Sequence, residues 1–260
     1  MTGTDWNPAL YARFRDVRLQ PAIDLAARLG DLPPWPICDL GCGAGVAGAL
    51  LKGRFPERRL IGIDSSPAML EKARATGDFD ALIEADAGRW APQERPALIF
   101  SNALLHWLPD HAGLLPRLAG HLTPGGTLAV QMPHQNDAPS HRLWHDLAAR
   151  HFPGRFDPAS APGILEPAAY FRILSPLGAV ALWETEYFQH LPPAPEGHPV
   201  RIFTSSTFAR PVLEALTTDE AEALIALYDA AATDAYPPMP DGSVLFPFRR
   251  LFFLLQGPGA

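Results

Sequence analysis

The sequence has few of the features that mark metal-binding, disulfide-stabilised or membrane-spanning proteins. Its 260 residues include only two cysteines, Cys38 and Cys42, and no histidine cluster accompanies them. A bond between residues this close would distort the local backbone, so we predict buried thiols, no disulfide and no metal site. No apolar run approaches the roughly 18 residues of a membrane-spanning helix, so we expect no contact with a membrane.

Positive charge is also scarce. The formal net charge is −7, the pI is about 5.7, and the densest basic stretch is Arg249-Arg250, which we expect at the edge of the last strand. This balance argues against a nucleic-acid partner and favours a small molecule. The first residues include Asp5 and no apolar run, so no signal peptide is visible. We expect a cytoplasmic protein that is a monomer or a small homo-oligomer.

Short apolar runs alternate with helical patterns through the first half of the chain. The first run ends in Asp39 and is followed by glycines at 41, 43 and 45 and by a helical pattern from Val46. Similar runs end at Asp64, near Asp86, at Asn102 and at Met132. This alternation predicts a parallel sheet with crossover helices. We predict that residues 103–122 form a helix with a break near residue 109.

The second half adds helices between the later strands. Helical patterns at 140–150, 167–177 and 201–236 separate a strand at 179–191 from a last, antiparallel strand at 244–255. The predicted fold is one α/β domain with a Rossmann-like, seven-stranded, mostly parallel sheet. In this interpretation residues 1–133 hold N-terminal lid helices and the cofactor-binding half. Residues 134–260 complete the domain with a helical substrate cap (about 134–177 and 195–240) and the last two strands.

The glycines fit two kinds of cofactor site. Residues 43–48 match G-x-G-x-x-G, and Asp64 follows at the distance seen in dinucleotide-binding proteins. However, Asp39 lies two residues before Gly41, the first glycine of the turn, where its charge would repel a pyrophosphate. A carboxylate there suits an ammonium or sulfonium group. A dinucleotide-dependent oxidoreductase and a non-catalytic cofactor-binding protein remain as alternatives.

The string from Asp39 to Gly45 resembles the first motif of class I methyltransferases, which bind S-adenosylmethionine. The resemblance implies that Asp64 accepts the ribose hydroxyls, that Asp86 lies at the adenine, and that Asn102 lies beside the transferred methyl group. The cofactor-binding residues that we predict from it are Asp39, Gly41, Cys42, Gly43, Asp64, Ser65, Asp86, Ala87, Asn102, Trp107 and Gln20.

Further segments resemble the trans-aconitate 2-methyltransferase family over nearly the whole chain. They include Trp6–Phe14, residues 62–69, 101–110 and 126–133, and Arg210-Pro211. The resemblance implies O-methylation of a small polycarboxylic acid, whose ionised carboxylate needs no general base. The substrate-binding residues that we predict are Arg210, Arg18, Tyr11, Trp6, His106, His141 and Tyr187.

Three departures from the family pattern keep the acceptor open. Gln20 stands where a second arginine is usual, and His134 replaces an acid. In the segment that ends at Arg210, Phe203 replaces the usual tryptophan and Phe208-Ala209 replaces Gly-Leu. A bulky ring beside the predicted substrate arginine would change the shape of the acceptor pocket. The alternative is a methyltransferase of the same fold that acts on a carrier-bound acyl carboxylate, a hydroxyl or an amine.

Overall fold

The structure is a computed structural model, and it describes residues 15–157, 163–205 and 207–259, without the side chains of residues 15–18. Predictions for Trp6 and Tyr11, and for the side chain of Arg18, therefore lie outside the described residues. Within the described parts no helix is long and apolar enough to cross a membrane.

Seven strands and nine α-helices are described. The strands are β1 (Ile37–Leu40), β2 (Leu60–Asp64), β3 (Ala81–Glu84), β4 (Leu98–Asn102), β5 (Thr127–Pro133), β6 (Ala179–Leu191) and β7 (Val244–Gln256). The described helices are α1 (Arg15–Ala27), α2 (Gly48–Arg54), α3 (Pro67–Thr76), α4 (His111–Gly120), α5 (Pro139–His151), α6 (Pro167–Leu174), α7 (Pro199–Ser205), α8 (Arg210–Glu214) and α9 (Thr218–Ala235). A short 3-10 helix covers Leu105–Trp107.

All seven strands form one sheet in the order β3-β2-β1-β4-β5-β7-β6. The first five strands pair in parallel, whereas β7 runs antiparallel between β5 and β6. The order reverses between β1 and β4, and open sheets of this kind bind ligands beyond the carboxyl ends of the strands. The predicted Rossmann-like, mostly parallel fold is confirmed.

Local sequence signals account for several helix ends. The Ser66 side chain caps α3 by accepting from the Met69 backbone N–H, and Pro67 occupies the first turn. Thr217 and Glu220 form a reciprocal capping box at the start of α9.

The predicted helix over residues 103–122 is wrong in its first eight residues, whereas the predicted break near residue 109 is confirmed. Ala103 has a left-handed backbone (φ +56°), and α4 begins only at His111, after Pro109. Asp110 also has positive φ, and its carboxylate caps α4 by accepting from the Gly113 N–H at 3.1 Å. The sequence between β4 and α4 therefore forms a kinked connection at the carboxyl edge of the sheet.

Two apolar layers cover the sheet. One face packs against α1 and α2 through buried residues that include Leu25, Leu51 and Phe100. The opposite face packs against α4 and α6 through residues that include Leu118 and Tyr170. The helices of the second half form a further cluster, in which Trp144 of α5 stacks on Tyr228 of α9 with ring centroids 3.9 Å apart. The role of these helices as a substrate cap stays a prediction.

Candidate active site

The glycine turn after β1 is hydrogen-bonded to the end of β2. The backbone N–H groups of Gly41 and Cys42 donate to the Ile63 carbonyl at 2.8 and 3.0 Å, and the Gly43 N–H donates to Asp64 Oδ2 at 2.9 Å. Position 41 also requires glycine (φ +79°), because a Cβ there would lie 2.7 Å from the side chain of Leu104. A Cβ on Gly43 (φ +54°) would meet no atom within 4 Å, so open space borders the turn.

Asp39 is a buried carboxylate with unsatisfied hydrogen-bonding capacity. Its side chain is 2% exposed, and its Oδ2 has no hydrogen-bond partner among the described residues. Burial and then the neighbouring charge of Asp64 raise the pKa of Asp39 to about 7. A cation placed here would relieve both effects, so the residues present fit a positively charged ligand.

Asp64 contributes both carboxylate oxygens to the turn. Oδ1 accepts from the Ser66 N–H and Oδ2 from the Gly43 N–H, each at 2.9 Å. Each oxygen has a second lone pair, so hydroxyl groups of a ligand can still donate to it. Ser65, next in the chain, is exposed.

The other predicted cofactor residues lie on several different elements. Asp86 is exposed two residues beyond the end of β3, and its Oδ1 accepts from the Gly88 N–H at 2.8 Å; Ala87 is buried. Gln20 donates to Asp24 one helical turn later on α1 at 2.8 Å, so its amide is engaged within its own helix. Asn102 ends β4, in register with Gln131 of β5.

A cavity of about 100 Å³ opens beyond the carboxyl end of β4. Asn102, the strained Ala103, His106 and Trp107 line it on the sheet side. The opposite side is lined by residues from the second half of the chain. They include His141 of α5, Phe203 of α7 and Phe208 just after α7. The structure thus brings together four predicted site residues at one cavity: Asn102, Trp107, His106 and His141.

Arg250 of β7 also lines the cavity, so the prediction that it lies at the edge of the last strand is wrong. Its side chain is only 4% exposed, and its guanidinium carbon lies 4.4 Å from the ring centroid of Phe248. Arg249, by contrast, is exposed. The signal that could have separated the two is the two-residue alternation in β7, because Phe246, Phe248 and Arg250 share one face.

Arg210, the predicted substrate cation, lies elsewhere. Its Nε donates to Glu214 Oε1 at 2.7 Å, one turn along α8, and its side chain is 29% exposed. Among the described residues, Thr207 and Phe208 of the same segment line the cavity and Arg210 does not. Its contact with a substrate therefore stays a prediction.

Two histidines in the cavity are neutral. Burial, and then the charge of Arg250 and the nearby His141 and His111, lower the pKa of His106 to about 3. Burial, then His145 and Arg250, lower the pKa of His141 to about 3 as well. The His141 Nδ1 lies 3.0 Å from Ser140 Oγ, whereas the His106 Nδ1 has no hydrogen-bond partner in the described parts of the chain.

Tyr187 and His134 face other partners. The Tyr187 hydroxyl donates to Asp24 Oδ2 of α1 at 2.5 Å, and Tyr187 is absent from the described cavity lining. Burial and then this bond raise its pKa. The His134 Nδ1 pairs with the Glu184 carboxylate across β7. His134, which stands where the family has an acid, is not part of the described cavity lining.

Comparisons with known proteins agree with this geometry. A family model described as a methyltransferase domain matches residues 11–210. A trans-aconitate 2-methyltransferase of Methylobacterium radiotolerans is 45% identical, over 97% of this chain and 98% of that protein. Enzymes with the same name from Azoarcus sp. (43% identical; 96% of this chain, 98% of that protein) and Escherichia coli O1:K1 / APEC (40%; 97% and 98%) also match. This chain belongs to the trans-aconitate 2-methyltransferase family.

Solved structures of similar fold support the architecture of this chain. The YcgJ protein of Bacillus subtilis superposes with a TM-score of 0.57 at 15% identity, covering 94% of this chain and all of that chain. The plantazolicin methyltransferase BpumL in complex with SAH gives a TM-score of 0.52 at 12% identity, over 96% and 90% of the two chains. The family member is an S-adenosylmethionine-dependent methyltransferase, as predicted. Its cytoplasmic location and oligomeric state stay predictions.

Proposed function

We propose that this enzyme esterifies one carboxylate of a small polycarboxylic acid, with trans-aconitate as the first candidate. The names of its relatives support this acceptor. The observation that carries the proposal is Arg250, a guanidinium that is 4% exposed and lines the cavity beyond β4. Arg binds carboxylates in a two-pronged, charge-assisted geometry, and burial strengthens such a contact.

The glycine turn and its acids would hold the methyl donor. Asp39 would face a cationic group, Asp64 would accept from the ribose hydroxyls, and Asp86 would lie at the adenine. When bound, S-adenosylmethionine supplies a methyl group on a sulfonium sulfur, which keeps the bonding electron pair when an acceptor oxygen takes the methyl carbon. The residues around Asp39 and Gly43 fit this ligand, because Asp39 Oδ2 lacks a hydrogen-bond partner among the described residues and open space borders the turn at Gly43.

An acid acceptor also explains which groups the cavity offers. A carboxylic acid is ionised at neutral pH, so its oxygen attacks without losing a proton. The residues need only align the acceptor and exclude water. Phe203, Phe208 and Phe248 line the cavity and supply apolar walls. His106 and His141 supply neutral hydrogen-bonding groups rather than bases titrating near neutrality.

A panel of acids tests the function. The protein is incubated with isotope-labelled S-adenosylmethionine and with mono-, di- and tricarboxylic acids, including trans-aconitate, and the esters are identified by mass spectrometry. We expect a monomethyl ester of at least one acid with two or more carboxylates. The absence of any ester, in a protein shown to bind S-adenosylhomocysteine, would refute the proposal.

Two neighbouring arginines give a matched pair of variants. Arg250→Gln removes the cavity cation and should raise the KM for the acid about 10- to 100-fold, the loss expected for a charge-assisted contact. Arg249→Gln changes the adjacent, exposed arginine and serves as the control. Equal KM values for the two variants would remove Arg250 from the acceptor site.

Phe208 favours a second candidate within the same chemistry. The ring is 8% exposed, lines the cavity, and packs on His141 with centroids 4.0 Å apart. An acid that places an apolar arm rather than a third carboxylate against this wall would fit it better than a tricarboxylate. The same acid panel ranks the two candidates by kcat/KM.

A further inference from the structure

The cavity separates one charged group from one neutral group along the sheet edge. His106 follows β4, the neighbour of β1, whereas Arg250 lies on β7, two strands further along. The backbones of β4 and β7 are two strand spacings, about 10 Å, apart. His106 therefore follows the strand nearer the glycine turn, and Arg250 reaches the cavity from the strand on the far side.

His106 is built into a fixed position. The Gly163 N–H donates to the His106 carbonyl at 3.1 Å. The ring of His111 anchors the same 3-10 turn, because its Nε2–H donates to the Leu105 carbonyl at 2.8 Å. On the other side of the ring, Nδ1 forms a hydrogen bond of 2.5 Å with the Tyr170 hydroxyl.

The His106 side chain has a hydrogen-bonding atom that these contacts leave unused. Its Nδ1 is buried and has no hydrogen-bond partner among the described residues, although the ring lines the cavity. Its neighbour Trp107 limits where the ring can move, with centroids 5.0 Å apart. Buried polar atoms without partners are rare in folded proteins, and a ligand is one reason for them.

The reaction needs different treatment for the two ends of a polycarboxylic acid. The reacting carboxylate loses its negative charge when the ester forms, so a cation beside it would stabilise the starting state more than the transition state. A neutral N–H donor can align the same carboxylate with less of this penalty. The non-reacting carboxylate keeps its charge throughout, so a cation can hold it without slowing the reaction.

We propose that His106 donates a hydrogen bond that aligns the reacting carboxylate, while Arg250 holds a non-reacting carboxylate of the same acid. This assignment rests on the proposed function. It gives His106 an alignment role that should appear in kcat, and gives Arg250 a binding role that should appear in KM. No proton transfer is assigned to either residue.

Four variants separate these roles in steady-state kinetics at saturating S-adenosylmethionine. His106→Leu should lower kcat about 10-fold with a less than threefold change in KM, which is the lower end of the loss expected for one hydrogen bond to a charged group. His106→Gln keeps a neutral donor and should retain most of kcat. His106→Lys should lower both kcat and the Kd of the acid, measured by calorimetry on enzyme loaded with S-adenosylhomocysteine. His190→Gln, an exposed histidine on β6, is the control.

The pH profile adds a readout that a purely structural role would not move. Alignment by neutral His106 predicts a flat kcat between about pH 6 and 8.5, with the same profile in His106→Gln. A limb near pH 6.5 that vanishes in His106→Gln would make His106 a base and overturn the proposal. So would a His106→Leu variant whose kcat matches the control, or whose loss falls in KM alone.

Two outcomes distinguish a failure of this proposal from a failure of the function. If the unaltered enzyme forms no ester with any acid, the proposed function fails first. If it forms an ester but His106→Lys raises kcat, only the division of roles is refuted. Thermal unfolding and S-adenosylhomocysteine binding of each variant show whether it is folded; if His106→Leu is not, His106→Gln and His106→Lys still decide the question.

Discussion

Asp39→Asn tests why a buried carboxylate stands beside the glycine turn. The change keeps the size of the side chain and removes a charge that is 2% exposed and close to Asp64. We expect two opposite effects from it. The enzyme without cofactor should become more stable at alkaline pH, and its affinity for S-adenosylmethionine should fall.

The sign follows from the raised pKa of Asp39. Its ordinary value is 3.8, and burial with the charge of Asp64 raises it to about 7. Between about pH 4 and 7 the folded state therefore holds a proton that the unfolded chain has released, so the free energy of unfolding falls as pH rises. Above about pH 8 the decline ends, because both states are then ionised. From these two values the loss between about pH 5 and 8 is on the order of 2.5 kcal/mol.

Urea unfolding at about pH 5 and 8, without cofactor, measures this difference. Relative to the unaltered enzyme, Asp39→Asn should gain on the order of 2.5 kcal/mol more at the higher pH than at the lower. Glu84→Gln, which changes an exposed carboxylate at the end of β3, is the control and should show no such gain. A stability difference that does not change with pH would refute the titration of Asp39.

Binding supplies the second half of the test. Asp39→Asn should bind S-adenosylmethionine at least 10-fold more weakly near pH 8, because a buried charge contact is worth about 1.5–3 kcal/mol. S-adenosylhomocysteine keeps the ammonium group and lacks the sulfonium, so a smaller loss for this ligand would place the sulfonium near Asp39. Unchanged affinity for both ligands would show that Asp39 faces neither cation.

Two further substitutions address the acceptor side. Tyr187→Phe should lower the free energy of unfolding by about 1–3 kcal/mol, since it removes the bond to Asp24, and should leave the KM for the acid nearly unchanged; a large KM increase at unchanged stability, measured by urea unfolding, would favour the predicted substrate contact instead. Phe208→Gly should cost at least about 3 kcal/mol through the cavity it creates, and should shift kcat/KM several-fold towards tricarboxylic over dicarboxylic acids; an unchanged ratio would show that the ring does not select the acceptor.

The cofactor side could be predicted because its signals are local. An apolar run that ends in an acid and is followed by glycines determines strand, turn and ligand edge together, and the structure has Asp39 and Asp64 where those runs end. Strand β6 begins and ends at the predicted residues, Ala179 and Leu191. Each of these features depends on residues within a few positions of one another.

The acceptor side could not be predicted in the same way because it depends on long-range register. Arg250 enters the cavity only because β7 inserts between β5 and β6, with Pro133 and Thr185 as its neighbours. No local sequence pattern predicts that β7 pairs between these two strands. The motif favours Arg210 as the substrate cation, but in the structure Arg210 pairs with Glu214, four residues later on the same helix, a spacing that brings side chains together.

The charges along the sheet edge explain how an acidic protein can bind an anionic substrate. With a net charge of −7, the protein repels a polycarboxylic acid at long range. Asp39 and Asp64 lie at one end of the edge and suit a cation, while Arg250 lies three strands from Asp39 at the other end. A bound cationic methyl donor would neutralise the acidic end and remove much of the local repulsion. We therefore expect the acid to bind more tightly to the enzyme loaded with S-adenosylmethionine than to the free enzyme. The increase in affinity should be much smaller with S-adenosylhomocysteine, which lacks the sulfonium charge.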